Sequence, residues 1–168
     1  VKQAAGGHDG PVMVPSADNA LLALASIDAM VAALLGHDVA LAMAPREAVL
    51  AAHPVGPRRF YGFKDGEYSN CNLYGLAGVK ALDAAEIFRG GGQFAKKAGR
   101  IVKAFGFINL LMLRLRVVSL PEGLARISRR IGLTIAPVIL NDGTQAIDVD
   151  NDRTYAVVDE LLEQRRAA

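Results

Sequence analysis

The stretch V-M-V-P-S-A-D-N-A-L-L, from Val12 to Leu22, determines the fold class of this 168-residue chain. It starts as a short apolar run typical of a buried strand, reaches Asp18, and continues into a helix-like pattern. A second stretch, A-I-D-V-D-N-D-R-T-Y from Ala146 to Tyr155, repeats this order and places Asp150 after its apolar part. Because ligands of open α/β sheets bind outside the carboxyl ends of strands, we expect the two aspartates to converge.

Two interpretations of Asp18 and Asp150 compete. Carboxylate oxygens suit Mg²⁺, which proteins commonly hold through one or two carboxylates together with substrate phosphates. Aspartate is also among the preferred residues at helix N-caps, a role that needs no metal. For either residue alone the N-cap is favoured, whereas the metal interpretation requires both carboxylates to face one cleft.

The rest of the chain alternates strand and helix patterns, which predicts an α/β domain. Strands are predicted at 12–15, 39–43, 59–63, 68–76, 134–140 and 145–149, and helices at 27–35, 46–52, 81–88, 93–105, 121–131 and 152–165. Ser26 is the predicted cap of the first helix. The pair Asp65-Gly66 indicates a hairpin between the third and fourth strands.

Together, these stretches resemble the nucleotidyltransferases that have a molybdenum-cofactor guanylyltransferase-like, Rossmann-type domain. Val12 to Leu22 is similar to that family's "apolar run, x-D-x-P-L-L" loop, with Ala20 where the family usually has proline. Ile147 to Tyr155 is similar to its closing D-V-D-T-P-E-D-L element, with Asn151-Asp152 in place of Thr-Pro. K-D-G-E-Y-S-N-C-N-L-Y-G-L, from Lys64 to Leu76, is similar to the D-G-x-x-S-x-x-N-L-F-x-L strand that lines the family's acceptor pocket.

The resemblance implies both a fold and a reaction. The implied fold is a three-layer, Rossmann-like, mostly parallel sheet with helices on both faces, of which residues 1–168 are the C-terminal two-thirds of a single domain. The implied reaction transfers a nucleoside monophosphate from a nucleoside triphosphate to a phosphorylated or hydroxyl small-molecule acceptor and releases pyrophosphate. Asp18 and Asp150 are the implied catalytic residues and Mg²⁺ ligands. The implied substrate-binding residues are Asn72, Asp65, Gly66 and Ser69.

One part of the family pattern is missing. The family begins with a glycine-rich loop, L-A-A-G-x-S-x-R-M-G followed by lysine, which holds the triphosphate. Here Ala4-Ala5-Gly6-Gly7 is followed by His8-Asp9-Gly10-Pro11, and the chain opens on Val1. We therefore expect an N-terminally truncated piece of a longer protein that does not turn over nucleotide by itself. The alternative is a non-catalytic binding or regulatory module of the same fold, which acts as a subunit, a regulator or a membrane-peripheral scaffold.

A basic segment lies between Lys96 and Arg130 and surrounds an apolar run, Phe105 to Leu113. Its basic residues are Lys96, Lys97, Arg100, Lys103, Arg114, Arg116, Arg126, Arg129 and Arg130, against the single acid Glu122. Packing on the domain or in a homodimer interface is the first interpretation, and it predicts that Phe105, Phe107, Leu110 and Leu113 are covered. Phosphate binding, with Lys96 and Lys97 as candidates, is the second. Contact with an anionic membrane is the third.

Composition limits the remaining function classes. A net charge of +2 is too small to imply a nucleic-acid partner. Cys71 is the only cysteine, which excludes a disulfide framework and fits a cytoplasmic location. Without a base identified nearby, Cys71 is interpreted as a buried core thiol rather than a nucleophile. Strand alternation groups Asn72 with Asn70 and Tyr74 on one polar face, where Asn72 either satisfies a neighbouring loop or contacts the acceptor.

Overall fold

The computed structural model describes residues 10–56, 59–78, 80–82 and 106–167. The strands in these ranges are β1 Val12–Pro15, β2 Val39–Pro45, β3 Tyr61–Phe63, β4 Gly66–Leu76 and β5 Ile135–Ile139. The helices are α1 Leu24–Leu34, α2 Arg46–Ala52, α3 Phe107–Arg114, α4 Leu120–Ile131 and α5 Asp152–Ala167, with a 3₁₀ helix at Gly143–Ala146. The helices predicted at 81–88 and 93–105 fall almost wholly outside the described residues.

The strands form one mixed sheet in the order β1-β4-β2-β5, with β3 beside the first part of β4. The α/β class is confirmed. β2 and β5 are parallel, but β4 is antiparallel to β1, β2 and β3, so the described sheet is less parallel than expected. The reason is local: the tight turn before Gly66 reverses the chain directly between β3 and β4, and only a long crossover would make neighbouring strands parallel.

β2 separates two hydrophobic layers because its side chains alternate between the faces of the sheet. Ala40, Ala42 and Ala44 pack in one layer with α1 and α2. Met43 packs in the other layer with α4, where Leu41 is a partly buried neighbour. The helices therefore cover both faces, and the three-layer arrangement is confirmed.

Helix α4 follows the sequence prediction closely. Ser119 and Glu122 form a capping box, in which each side chain accepts a hydrogen bond from the other residue's backbone N–H. Pro121 occupies the first turn, and Gly132 ends the helix in the left-handed region at φ 72°. One face of the helix packs into the sheet through Leu124 and its apolar neighbours.

Two local predictions are wrong. Helix α1 begins at Leu24, and Ser26 lies inside it with its hydroxyl hydrogen-bonded to Gln145 instead of capping the helix. The strand predicted at 145–149 is replaced by the 3₁₀ helix and an extended segment outside the sheet. The carboxylate of Asp142 accepts a hydrogen bond from the backbone N–H of Thr144, and such local bonds compete with strand pairing.

The apolar run 105–113 is less covered than predicted. Phe107 is 68% exposed, while Leu110 and Leu113 are half-buried and Phe105 lies outside the described residues. Coverage of Phe107 by the domain is therefore contradicted. In the part of the chain that the structure describes, no helix is both long enough and apolar enough to cross a membrane.

Candidate active site

The loop after β1 connects the two acidic stretches. The backbone N–H of Ser16 donates to the carbonyl of Asn72 at 2.9 Å, which continues the pairing of β1 with β4. The Ser16 hydroxyl donates to the Asp18 carboxylate, and the Asp18 carbonyl accepts from the backbone N–H of Val149 at 3.0 Å. The loop that carries Asp18 is thus fixed between β4 and residues 147–150.

Asn72 occupies an irregular point in β4. Its φ of 50° lies in the left-handed region, which asparagine tolerates better than most residues. The pairing of β4 with β2 shifts in register between Leu41 and Met43, opposite this point. Irregularities of this kind redirect side chains next to functional sites. Here the side-chain amide of Asn72 donates a hydrogen bond to Asp148.

Asp148 is a buried carboxylate, only 9% exposed. One oxygen accepts the hydrogen bond from Asn72, and the other, Oδ1, has no hydrogen-bond partner among the described residues. Burial raises the pKa of Asp148 from 3.8 to about 6, opposed by the Asn72 hydrogen bond and reinforced by the charges of Asp18 and Asp150. The two aspartates singled out in the sequence therefore both lie close enough to act electrostatically on a third.

The N-cap interpretation is wrong for Asp18 and Asp150. The position before α1 is Ala23, so Asp18 does not cap that helix. Asn151 occupies the capping position of α5, where its side-chain oxygen accepts from the backbone N–H of Thr154. Asp150 lies one residue before this position and is exposed.

Gln145 holds the loops beneath the site. It is completely buried, and its amide nitrogen donates to the Leu21 carbonyl at 2.9 Å and to Asp142 at 3.0 Å. Its amide oxygen accepts from the Ala23 backbone N–H and the Ser26 hydroxyl. One side chain thus connects the segment after Asp18 with the segment before Asp148.

The remaining sequence-predicted residues have other surroundings. The Asp65 carboxylate accepts from the Leu120 backbone N–H at 2.9 Å and so supports the start of α4. Gly66 begins β4, six residues or roughly 20 Å along an extended strand from Asn72. Ser69 is buried in β4. Their role in acceptor binding stays a prediction, and Lys96 and Lys97 lie outside the described residues.

Cys71 is a core residue, as predicted. Its side chain is fully buried between the sheet and α1, and burial raises the pKa of the thiol to about 12. Such a thiol is protonated at neutral pH, and the thiolate is the nucleophilic form. Cys71 therefore contributes packing to the fold beside the site.

Comparison with known proteins supports the fold. A solved structure described as a hypothetical transferase from Thermus thermophilus matches with a TM-score of 0.77 and 24% sequence identity. The match covers 91% of this chain and 66% of that one, so the present chain spans less than two thirds of the similar protein. No family model matches the chain, and a search of curated proteins also found no match. The similarity establishes a shared α/β fold.

Proposed function

We propose that this chain belongs to a nucleotidyltransferase, an enzyme that moves a nucleoside monophosphate from a nucleoside triphosphate to a small-molecule acceptor. The observation that carries the proposal is the environment of Asp148. Its carboxylate is buried, one of its oxygens has no hydrogen-bond partner among the described residues, and the negative charges of Asp18 and Asp150 raise its pKa. The negative charges of neighbouring carboxylates repel one another, and a bound cation would offset that repulsion. The similar Thermus thermophilus structure, described as a hypothetical transferase, supports the reaction class.

Mg²⁺ is the cofactor that this reaction implies, and the side chains present suit it. The group offers hard carboxylate oxygens, and the unpaired Oδ1 of Asp148 lacks the partner that a buried carboxylate needs. In the described part of the chain, no three His, Cys, Asp or Glu side chains have the geometry of a complete metal site. We propose Asp18 and Asp150 as the ligands, with substrate phosphates completing the coordination. Bound Mg²⁺ would neutralise phosphate charge during the transfer.

The chain's own residues position the reacting groups. The Asp18 loop is held by backbone hydrogen bonds to Asn72 and Val149, so its carboxylate is fixed before substrate arrives. Such preorganisation lowers the barrier because little rearrangement remains for the reaction itself. The amide of Asn72 is engaged with Asp148, and we therefore assign Asn72 as a positioning residue.

The proposed reaction needs few protein groups. An oxygen of the acceptor, phosphate or hydroxyl, attacks the α-phosphorus of the triphosphate, and pyrophosphate leaves with the electrons of the broken P–O bond. An ionised phosphate acceptor needs no general base, whereas a hydroxyl acceptor must lose a proton. Lys96 and Lys97 are proposed to contact phosphate, as lysine does through its point charge.

Nucleotide binding provides the first test. Binding of each of the four common nucleoside triphosphates is measured by titration calorimetry, with and without Mg²⁺, on the wild type and on Asp18→Asn and Asp148→Asn. We expect Mg²⁺-dependent binding that both variants weaken at least about tenfold, since each removes a charge from the group. Asp28→Asn, an exposed aspartate on α1, is the matched control and should bind like the wild type. Equal binding by Asp18→Asn and the wild type would refute the assignment of Asp18 as a Mg²⁺ ligand, and equal binding by Asp148→Asn would show that Asp148 takes no part in the site.

Pyrophosphate release provides the second test. It is measured with Mg²⁺ on this chain and on any longer polypeptide that contains it. Release that Asp18→Asn abolishes would support the enzyme. Tight Mg²⁺-nucleotide binding without release in the longer polypeptide would instead favour a non-catalytic binding module.

A further inference from the structure

An exposed apolar stripe runs along α3 and the turn after it. Its members are Phe107, Ile108, Leu111, Leu115 and Val117, each between 44% and 69% exposed. Phe107, Leu111 and Leu115 follow at intervals of four residues, so they lie along one side of the helix. A continuous apolar surface of this kind on a folded chain usually marks an interaction site.

The opposite side of α3 is the one that packs on the domain. A Cβ placed on Gly123 of α4 would lie 3.2 Å from the side chain of Leu113 and 3.5 Å from Phe63. Leu113 therefore occupies the space left by the missing side chain of Gly123. Since Leu113 is about half a turn from Leu111 around the helix, packing through Leu113 leaves the apolar stripe pointing outward.

A cavity of about 270 Å³ adjoins the apolar stripe. Its walls are formed by residues of α3, α4 and the turn between them: Met112, Val117, Val118, Glu122, Ala125, Arg126 and Arg129. Val117 belongs to both the apolar stripe and the cavity wall, so the two surfaces are continuous. The Glu122 carboxylate accepts a hydrogen bond from the backbone N–H of Ser119. The cationic groups in the cavity wall are Arg126 and Arg129.

Charge is strongly segregated in this chain. Residues 96–130 contain nine basic residues and one acidic residue, a net charge of +8. The other 133 residues contain ten basic and sixteen acidic residues, a net charge of −6, which together give the overall +2. The apolar stripe therefore lies in the positive part of an otherwise acidic chain.

We propose that the apolar stripe, with Arg126 and Arg129 beside it, docks on the surface of an anionic phospholipid bilayer. Apolar side chains flanked by cations are the features that let a protein lie in the membrane interface. A nucleic acid would satisfy the arginines but leave the apolar stripe exposed. A symmetric dimer through this surface would place the arginines of one copy against those of the other, because both copies contribute the same patch.

The proposal is tested by sedimentation of the 168-residue chain with vesicles of phosphatidylcholine alone or of phosphatidylcholine mixed with phosphatidylglycerol. We expect binding to the mixed vesicles that weakens as salt is added, because salt screens the attraction. Arg126→Gln with Arg129→Gln should weaken the partition about fivefold per arginine. Ile108→Ser with Leu111→Ser should weaken it by about tenfold or more, since apolar burial is lost.

Matched controls separate this surface from general properties of the chain. Leu35→Ser replaces an apolar residue that is 88% exposed elsewhere, and Arg166→Gln replaces an exposed arginine on α5. Both should bind like the wild type, and circular dichroism should show that all variants are folded. Failure to bind either vesicle, equal binding to both, or binding unaffected by Ile108→Ser with Leu111→Ser would overturn the proposal. So would a concentration-dependent dimer, seen by light scattering, that this pair of substitutions dissociates.

Discussion

The side-chain amide of Asn72 donates a hydrogen bond to the carboxylate of Asp148, which lies 76 positions later in the sequence. The bond connects an irregular point in the central strand β4 to the most buried carboxylate of the candidate site. Asn72 makes this hydrogen bond with its backbone φ at 50°, in the left-handed region that few residues other than glycine adopt without strain. Backbone outliers of this kind persist where the surrounding structure holds them, and they cluster at functional sites.

Replacement of Asn72 should separate two contributions to stability: the hydrogen bond of its amide to Asp148 and its tolerance of a positive φ. Asn72→Ala removes the amide that satisfies Asp148 and puts a less tolerant residue in the left-handed region. We expect unfolding by urea to show a loss of about 2 to 4 kcal/mol, the sum of an unsatisfied buried group and about 1 kcal/mol of backbone strain.

Asn72→Gly is the matched control, because glycine adopts positive φ without strain but offers no amide. It should be more stable than Asn72→Ala by about 1 kcal/mol and still less stable than the wild type. An Asn72→Ala variant as stable as the wild type would show that the bond to Asp148 contributes nothing to folding.

Gln145 should be important for stability although it carries no charge. Gln145→Leu keeps the volume of the side chain but leaves the Ala23 N–H and the Ser26 hydroxyl without their acceptor, whereas the Leu21 carbonyl keeps its hydrogen bond from Arg165. Each orphaned group costs about 1 to 3 kcal/mol, so a total loss of about 2 kcal/mol or more is expected in thermal or urea unfolding. Gln164→Leu on the exposed face of α5 is the control. Equal losses in the two variants would contradict the role given to Gln145.

Much of the architecture follows from local patterns. The alternation of β2, the capping box of α4 and the hairpin at Asp65-Gly66 depend on residues within a few positions of one another. These features were predictable, because each is determined by nearby sequence.

The candidate site is harder to predict, because its details depend on distant partners. The strand predicted around Gln145 is wrong because the side chain of this residue forms hydrogen bonds with a segment more than 115 positions away in the sequence. The sequence pattern points to Asp150 and not to Asp148, since nothing in D-V-D alone shows which aspartate is buried. A clue was available: an acid two residues before Asp150 in an apolar stretch is a poor surface residue and a good candidate for an inward carboxylate.

Gly143 should not tolerate any side chain. A Cβ at this position would lie 2.1 Å from the backbone carbonyl oxygen of Ala48, and a backbone atom of α2 cannot move aside as a flexible side chain could. Gly143→Ala is therefore expected to lower the free energy of unfolding by about 3 kcal/mol or more. No atom of the described residues would lie within 4 Å of a Cβ at Gly36, so Gly36→Ala should stay within about 0.5 kcal/mol of the wild type. Comparable stability of the two alanine variants would contradict the close approach of α2 and the 3₁₀ helix.

Asp38 should make the stability of the sheet depend on pH in the acid range. Its carboxylate accepts from the backbone N–H and the hydroxyl of Thr134 at 2.8 and 2.9 Å, which joins the start of β2 to the residue before β5. These hydrogen bonds, together with the charge of Lys80, lower the pKa of Asp38 below 3.8. The folded state therefore binds the Asp38 proton more weakly than the unfolded state does.

The direction in which stability changes with pH follows from this weaker proton binding in the folded state. The stabilisation by Asp38 is present above the unfolded pKa near 3.8 and is lost as the pH falls through the lower folded value. Asp38→Asn should be less stable than the wild type at pH 7 by less than about 1 kcal/mol, because the carboxylate is partly exposed and screened. The difference between the two proteins should shrink as urea unfolding is repeated at successively lower pH toward 3. Asp28→Asn, in an exposed position on α1, is measured beside it as the matched substitution. A difference for Asp38→Asn that grows on acidification would mean that Thr134 does not stabilise the charged form.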